Sequence, residues 1–355
     1  MLNYEYPPLG GGGAAVCRDI SEKLVADGNK VTVVTMNMSG LQARENVKGV
    51  DIHRVKCWRS KAKVCHPWEQ MTYCVSAFQY IKKNLDVKEY DVVHCHFIIP
   101  TGLLAYWIRR KTGKDYLLTA QGSDVIGHNN KRFKILYSII RPIWRRIVDN
   151  AKVLTAPSQY LIDKIHMTEP KKECHLIPNG LYINNYDSST KTRSIVTLSR
   201  LQESKGIQDL IMAVSQINVN DWKIYILGDG PYRSQLQELI EKLNVNDKVQ
   251  LLGYVSDEDR HKYLSEAGLY FTGSWFEAMP VSVLEAMASS CNIIASDIEP
   301  HRAVLSDKYI YTSMEDLKKK LEGICSNQPQ EIKYEIEKYD WSNVVDEYIR
   351  VYNAR

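Results

Sequence analysis

The sequence predicts an α/β protein of two doubly wound domains built on parallel sheets, and three observations carry that expectation. Its 355 residues exceed one ordinary core, since a domain usually takes roughly 100–200 residues. Short β-branched runs alternate with helical patterns nearly throughout, as buried parallel strands joined by crossover helices do. The alternation breaks once, at Pro178-Asn179-Gly180 and the polar stretch 184–192, and then restarts.

Taken in order, the first domain is assigned to residues 1–182. Gly10-Gly11-Gly12-Gly13 opens a helix running through Val16 to Asp27, where bare amides can approach a phosphate closely; a flexible loop has the same composition. Such a loop normally follows a buried strand, yet Met1 to Leu9 is short and proline-rich, so the first strand is expected to be missing. Its absence would leave neighbouring backbone groups unpaired at about 1–3 kcal/mol each, against a total stability of about 5–15 kcal/mol. The expectation is therefore a chain shortened by a strand of about 5–6 residues. Further strands are assigned to 31–35, 91–97, 116–120 and 152–156. The second domain, 193–335, has strands at 195–199, 223–227, 249–254, 269–272 and 292–296. In the final segment, 336–355, the helical spacing of Trp341–Tyr352 has no strand after it and is expected to cross back to the first domain.

Composition narrows the setting. Apolar residues are 44% of the chain, enough for two cores. No run of about 18 apolar residues suggests a transmembrane helix, and no basic-then-apolar leader is present, so the expected location is cytoplasmic. The eight cysteines form no CxxC pair and read as small buried residues of a reducing compartment. Net charge is +4, but residues 1–178 carry 27 Lys+Arg against 16 Asp+Glu, and residues 179–355 carry 19 against 26. The first half thus faces something anionic; with no nucleic-acid-binding motif, a phosphorylated substrate or a phospholipid surface remains. Two segments offer such a surface. One is Arg59 to Lys63 followed by Trp68, Met71, Tyr73, Val75 and Phe78; the other is Lys131 to Lys134 followed by Ile135, Leu136, Ile139, Ile140, Ile143 and Trp144. Each fits either a core helix with a solvated basic face or peripheral attachment to an anionic membrane.

The residues with most chemical content lie in Phe276 to Met287. Pro280 is expected at the first helical position, with Glu277 in the loop before it and Glu285 further into the helix. The amides around Met279, Pro280, Val281 and Ser282 then form a positive helix end suited to a diphosphate. An exposed loop acid and a helix-face acid have the same spacing. Arg200 and Lys205 emerge at the carboxyl edge of the second sheet, where open α/β sheets bind ligands, and a planar cation with a mobile one suits a diphosphate. Gly228 marks a tight strand-to-helix turn at that edge, and Gly253 with Tyr254 is placed to line a base pocket. In the first half His94-Cys95-His96 ends a strand and Gln121-Gly122-Ser123-Asp124 follows the next. The histidines have no third ligand at local spacing, so no metal is assigned.

Together these motifs resemble the family-4 retaining glycosyltransferases (glycosyl transferases group 1), over nearly the whole chain. The specific part is Glu277 through Glu285 combined with Arg200 and Lys205. The resemblance implies a GT-B fold, two Rossmann-like domains facing an interdomain cleft, and a hexosyltransferase that moves sugar from a nucleoside diphosphate donor to a glycan or lipid-linked acceptor. It implies that Glu285 binds the ribose, Glu277 the donor sugar, the amides from Ala278 and Met279 onward the sugar and phosphate, and Gly12 and Gly13 the donor phosphate. Arg200 and Lys205 would stabilise the departing diphosphate without a required metal or other cofactor, while His96, Gln121 and Asp124 would lie on the acceptor side. Gln121 stands where the family often has histidine, and Ala278-Met279 where Gly-Phe is commoner. A catalytically silent sugar-nucleotide-binding protein and an epimerase on the same fold are the alternatives.

Overall fold

The structure, a computed structural model, describes every residue except 129, 187–188, 220 and 355, and the backbone but not the side chains of 130–138. It divides into two compact units, Met1–Gly180 with Trp341–Arg355, and Leu181–Asp340.

In the first unit α1 (Gly12–Ala26) leads to β1 (Thr32–Met36), β2 (Arg44–Val47), β3 (Val50–Val55) and α2 (Pro67–Asn84). Then come β4 (His94–His96), α3 (Thr101–Thr112), β5 (Leu117–Thr119), α4 (Asn130–Asn150), β6 (Val153–Ala156), α5 (Gln159–His166) and β7 (His175–Leu176). Strands run in the orders β2-β3-β1 and β4-β5-β6-β7, and residues 1–3 lie between the two groups.

Here the expectation of a missing first strand is corrected. Leu2 forms parallel bridges to both Val34 and Cys95. Its amide donates to the His94 carbonyl at 2.7 Å and its carbonyl accepts from His96 at 3.0 Å, while Val34 donates to Met1 at 3.0 Å and Asn3 to Val34 at 3.3 Å. Pro7 and Pro8 fall beyond the paired residues. Three residues pairing on both sides satisfy the groups whose loss was anticipated.

The β2–β3 hairpin was not foreseen. It is antiparallel, and both turn residues, Lys48 (φ 49°) and Gly49 (φ 84°), are left-handed, as a two-residue hairpin turn of matching twist demands.

The second unit contains β8 (Thr192–Leu198), α6 (Ile207–Gln216), β9 (Lys223–Leu227), α7 (Arg233–Lys242), β10 (Val249–Gly253), α8 (Asp257–Glu266) and β11 (Ala267–Thr272). It continues with α9 (Val281–Ala288), β12 (Asn292–Ser296), α10 (Glu299–Arg302), β13 (Ile310–Tyr311) and α11 (Met314–Cys325). The order β10-β9-β8-β11-β12-β13 is parallel throughout. The chain winds outward one way from β8 and then returns to wind the other way from β11, so the topological switch point lies between those two strands.

Boundaries shift relative to the sequence assignment. Residues 181–192 and 336–340 belong to the second unit because the Leu181 amide donates to Tyr339 at 2.8 Å and Leu181, Ile336 and Tyr339 share its core with Tyr270 and Leu284. The last helix, α12 (Trp341–Asn353), belongs to the first unit. Its Trp341, Val344, Val345 and Tyr348 bury against Val16, Ile20 and Leu24 of α1. A Cβ on Gly180 would meet the Trp341 ring at 2.5 Å, so the chain can return at that point only past a glycine. Among the described residues no helix is long and apolar enough to cross a membrane.

Candidate active site

At the switch point of the second unit, two loops meet through a pair of glycines. Beyond β8 the chain passes exposed Arg200, which makes no hydrogen bond or ion pair to a described residue, and a short 3-10 turn, Glu203–Lys205, that ends at Gly206. Gly206 is left-handed at φ +62°, and a Cβ there would stand 2.0 Å from the Gly273 carbonyl oxygen; one on Gly273 would stand 2.5 Å from that of Gly206. Only glycines permit this approach. The Trp275 amide then donates to the Ser204 carbonyl at 2.9 Å, fastening the loop after β8 to the loop after β11.

That fastening brings Lys205 to Glu277. Lys205 Nζ lies 2.6 Å from Glu277 Oε1, and Ser274 Oγ donates to the same oxygen at 2.7 Å. Behind them Ser296 Oγ donates to the Ser274 carbonyl at 2.5 Å, and His301 Nδ1 donates to the Ser296 carbonyl at 2.9 Å. Burial holds the His301 pKa below its usual value, so the ring is a neutral brace. Sequence reasoning missed Ser274, Ser296 and His301, which no spacing singles out.

Pro280 is not the first helical residue. Its ψ of 68° is non-helical and α9 begins at Val281, so Pro280 acts as the cap whose carbonyl accepts from Val283 at 2.9 Å and Leu284 at 3.3 Å. The Val281 amide is engaged by the Met279 carbonyl at 3.0 Å, which leaves Ser282 as the first-turn amide without a hydrogen bond to a described residue. Ala278 and Met279 lie half-buried in the loop before the cap. Glu285, one turn into α9, is almost fully buried. Its Oε1 accepts from the Tyr186 hydroxyl at 2.8 Å and lies 3.4 Å from Arg260 Nη1. Tyr186 and Arg260 are further residues that sequence reasoning missed; Arg260 sits in a run of charges on α8 with nothing to mark it.

Gly228 and Gly253 meet at the same edge, the Gly228 amide donating to the Gly253 carbonyl at 2.7 Å. A Cβ on Gly228 would lie 1.9 Å from the Ser199 carbonyl oxygen, so the end of β8 demands this glycine. Tyr254, beside Gly253, is 82% exposed.

A second cluster occupies the equivalent edge of the first unit. A Cβ on Gly13 would lie 2.5 Å from the Phe97 ring, whereas one on Gly12 would meet open space. Gly13 is thus required by packing, and Gly12 is the one that leaves backbone accessible. Gln121 Nε2 donates to His96 Nδ1 at 3.1 Å. Burial lowers the His96 pKa to about 3, so the ring is neutral and carries its proton on Nε2, a buried atom with no partner among the described residues. Asp124 accepts from the Ile98 amide at 2.6 Å and the Gln121 amide at 2.9 Å, tying together the loops after β4 and β5. Burial pushes its pKa up to about 6. His94 is committed on both sides, to Tyr352 Oη at 2.8 Å and Thr119 Oγ1 at 2.7 Å, which leaves neither nitrogen for a ligand. All eight cysteines are free, with Cys57, Cys65 and Cys174 half-buried and the rest buried.

Two family patterns adjoin along the chain. "Glycosyltransferase Family 4" matches residues 10–184 and "Glycosyl transferases group 1" matches residues 181–340. The chain belongs to the group 1, family-4 glycosyltransferases. An uncharacterized glycosyltransferase of Methanocaldococcus jannaschii is 25% identical over 99% of this chain and 97% of its own length. The alpha-monoglucosyldiacylglycerol synthase of Streptococcus pneumoniae is 22% identical over 85% of this chain and 72% of its own. Among solved structures, sucrose-phosphate synthase from Thermosynechococcus elongatus superimposes with a TM-score of 0.80 at 16% identity, covering 96% of this chain and 93% of that one. Anabaena HepE in complex with UDP and glucose does so at 0.74 and 15%, covering 100% and 98%. These structural likenesses establish for this glycosyltransferase the GT-B fold of two Rossmann-like domains.

Proposed function

We propose that this glycosyltransferase is a retaining hexosyltransferase that moves a hexose from a nucleoside diphosphate sugar to a hydroxyl of a glycan or lipid-linked acceptor in polysaccharide or glycolipid assembly, at the cytoplasmic face of a membrane. The observation that carries the reading is the Lys205–Glu277 contact of 2.6 Å at the switch point of the second unit, where α/β sheets take their ligands. A cation for the diphosphate and a carboxylate for sugar hydroxyls are held ready side by side. The UDP and glucose named for the Anabaena structure and the monoglucosyldiacylglycerol product named for the pneumococcal relative support a nucleotide-sugar donor and a lipid-linked acceptor.

In this reading Glu285, fixed by Tyr186 and Arg260, receives the ribose hydroxyls, and Glu277 receives hydroxyls of the sugar. Arg200 and Lys205 stabilise negative charge as the bond between the anomeric carbon and the diphosphate oxygen breaks. The acceptor oxygen bonds to the same face of that carbon, and its proton passes to the departing phosphate. Two carboxylates acting as nucleophile and acid, as in most retaining hydrolases, are not required, nor is a metal. A panel of UDP-, GDP- and ADP-sugars with and without candidate acceptors tests the reading, with anomeric configuration read by NMR and chelator added in parallel. Nucleoside diphosphate released only with acceptor, in an α-linked product from an α-linked donor, is expected. Donor altered without acceptor would point instead to an epimerase, and donor binding without turnover to a silent protein.

A further inference from the structure

The first unit carries an apolar face that its own fold leaves uncovered. On α2, Trp68, Met71 and Val75 recur at helical spacing on one side and are 51%, 43% and 47% exposed. Trp58, 64% exposed, stands edge-on to Trp68 with ring centroids 5.7 Å apart, and its amide donates to Thr72 Oγ1 at 3.1 Å. The face is therefore a surface of two indoles in edge contact and two further apolar side chains.

The segment that carries it, Lys56 to Lys83, has one sign of exposed charge. Between Lys56 and Lys83 the only acid is Glu69, and Glu69 is fully buried, its carboxylate accepting from the Ser60 and His66 amides at 2.8 Å each. Lys56, Lys61, Lys63, Lys82 and Lys83 are all exposed. The sequence expectation needs correction in its members. Tyr73 is buried, donating to the Val34 carbonyl at 2.8 Å, and Arg59 turns inward to Glu5 at 3.4 Å with its side chain 0% exposed. In the second segment singled out from sequence, Lys131 to Leu136 lie outside the described side chains and Trp144 is core, donating to the Asp124 carbonyl at 2.9 Å.

We infer that Trp58, Trp68, Met71 and Val75 insert into the headgroup boundary of an anionic bilayer while the exposed lysines of the same segment meet lipid phosphates. Indoles partition to that boundary because one edge is apolar and the other donates a hydrogen bond, and lysines held against an anionic leaflet add an attraction that salt screens. A protein partner would need acids matched to the lysines around an apolar pocket; a bilayer supplies both features over any footprint. This surface gives the proposed function its location, but it is read without donor or acceptor, so either reading can fail alone.

The test is flotation of the full chain with phosphatidylglycerol/phosphatidylcholine vesicles and with pure phosphatidylcholine vesicles. Binding to the anionic vesicles alone, weakening as salt rises, is expected. Lys61→Gln with Lys63→Gln should lower partitioning about 25-fold, at about fivefold per surface lysine. Trp58→Ser with Trp68→Ser should abolish it while circular dichroism and thermal unfolding stay as in the parent. Equal binding to both vesicle types, no binding, or a concentration-dependent dimer that the tryptophan variant disrupts would overturn the inference, the last assigning the face to a second copy.

Discussion

Lys205 and Glu277 stand 72 positions apart in sequence, and each alone is an ordinary surface charge. Their proximity makes a chemical prediction, because charge on a departing diphosphate is greater in the transition state than in the bound donor. Arg200→Ala and Lys205→Ala should each lower kcat by about 10²-fold or more, with a smaller change in donor KM. Glu285→Ala should raise donor KM and leave kcat closer to the parent, as loss of uniform binding does. Steady-state release of nucleoside diphosphate reads all three, and near-parental turnover in both cation variants would remove the assignment. A different residue sets a pH response. His96 is neutral in the folded chain down to about pH 3, but once unfolded it binds a proton below its ordinary value of 6.5. Its contribution to stability is therefore complete above 6.5 and is lost as pH falls toward 3. In His96→Gln the difference in unfolding free energy between pH 7 and pH 5 should shrink by about 2 kcal/mol. Asp124, raised from 3.8 to about 6, works in the opposite sense between those values, but it is common to both chains and cancels. Urea titrations of the two proteins at both pH values make the comparison; an unchanged difference would show that His96 titrates normally in the fold.

At the scale of elements, the contact between the loops after β8 and β11 is the weak point. Gly206 is both left-handed and within 2.0 Å, by its added Cβ, of the Gly273 carbonyl oxygen, so Gly206→Ala has neither a comfortable backbone nor room. It should cost about 2–4 kcal/mol and displace Lys205, lowering activity beyond the loss of folded protein. Gly323, in the exposed last turn of α11, has nothing within 4 Å of an added Cβ, and Gly323→Ala should instead stabilise by about 0.5–1 kcal/mol. Denaturant midpoints of the pair compare a glycine that contact demands with one that it does not. Which elements were legible in the sequence follows the same logic of local against distant causes. The runs at Lys223–Leu227 and Asn292–Ser296 are strands to the residue because central parallel strands are apolar on both faces. Arg44–Val47 escaped notice because an edge strand with three exposed residues of four has no apolar pattern to read. Met1 to Asn3 escaped because its strand character exists only in its hydrogen bonds to β1 and β4. At the site, Glu277, Glu285 and Lys205 were visible through their local setting, whereas Ser274, Tyr186 and Arg260 became functional candidates only through carboxylates brought to them by the fold.

For the whole molecule the consequential feature is that the first unit is discontinuous in sequence and the second is not. Leu181–Asp340 is one stretch of chain, while Met1–Gly180 is completed by Trp341–Arg355. The completing helix covers Val16, Ile20 and Leu24 of α1, and α1 carries the glycine loop at its start. Helix α12 also reaches the strand-end histidines, since the Tyr352 hydroxyl bonds His94 Nδ1 at 2.8 Å. A defect in α12 should therefore register at the first unit's site and not in the core of the second unit. Trp341 is 2% exposed, and its ring closes over Gly180, where a Cβ would come within 2.5 Å, so the residue beneath the ring has no side chain with which to refill the space. Trp341→Ala should cost about 3–5 kcal/mol, the range for emptying a large aromatic site in a core. Amide hydrogen exchange localises the loss: α1, α12 and β1 should exchange faster, while β9 and β11 keep their protection. Uniform acceleration across both units would mean that the chain unfolds as a single cooperative body, and unchanged exchange in α1 would mean that the returning helix is not what holds it.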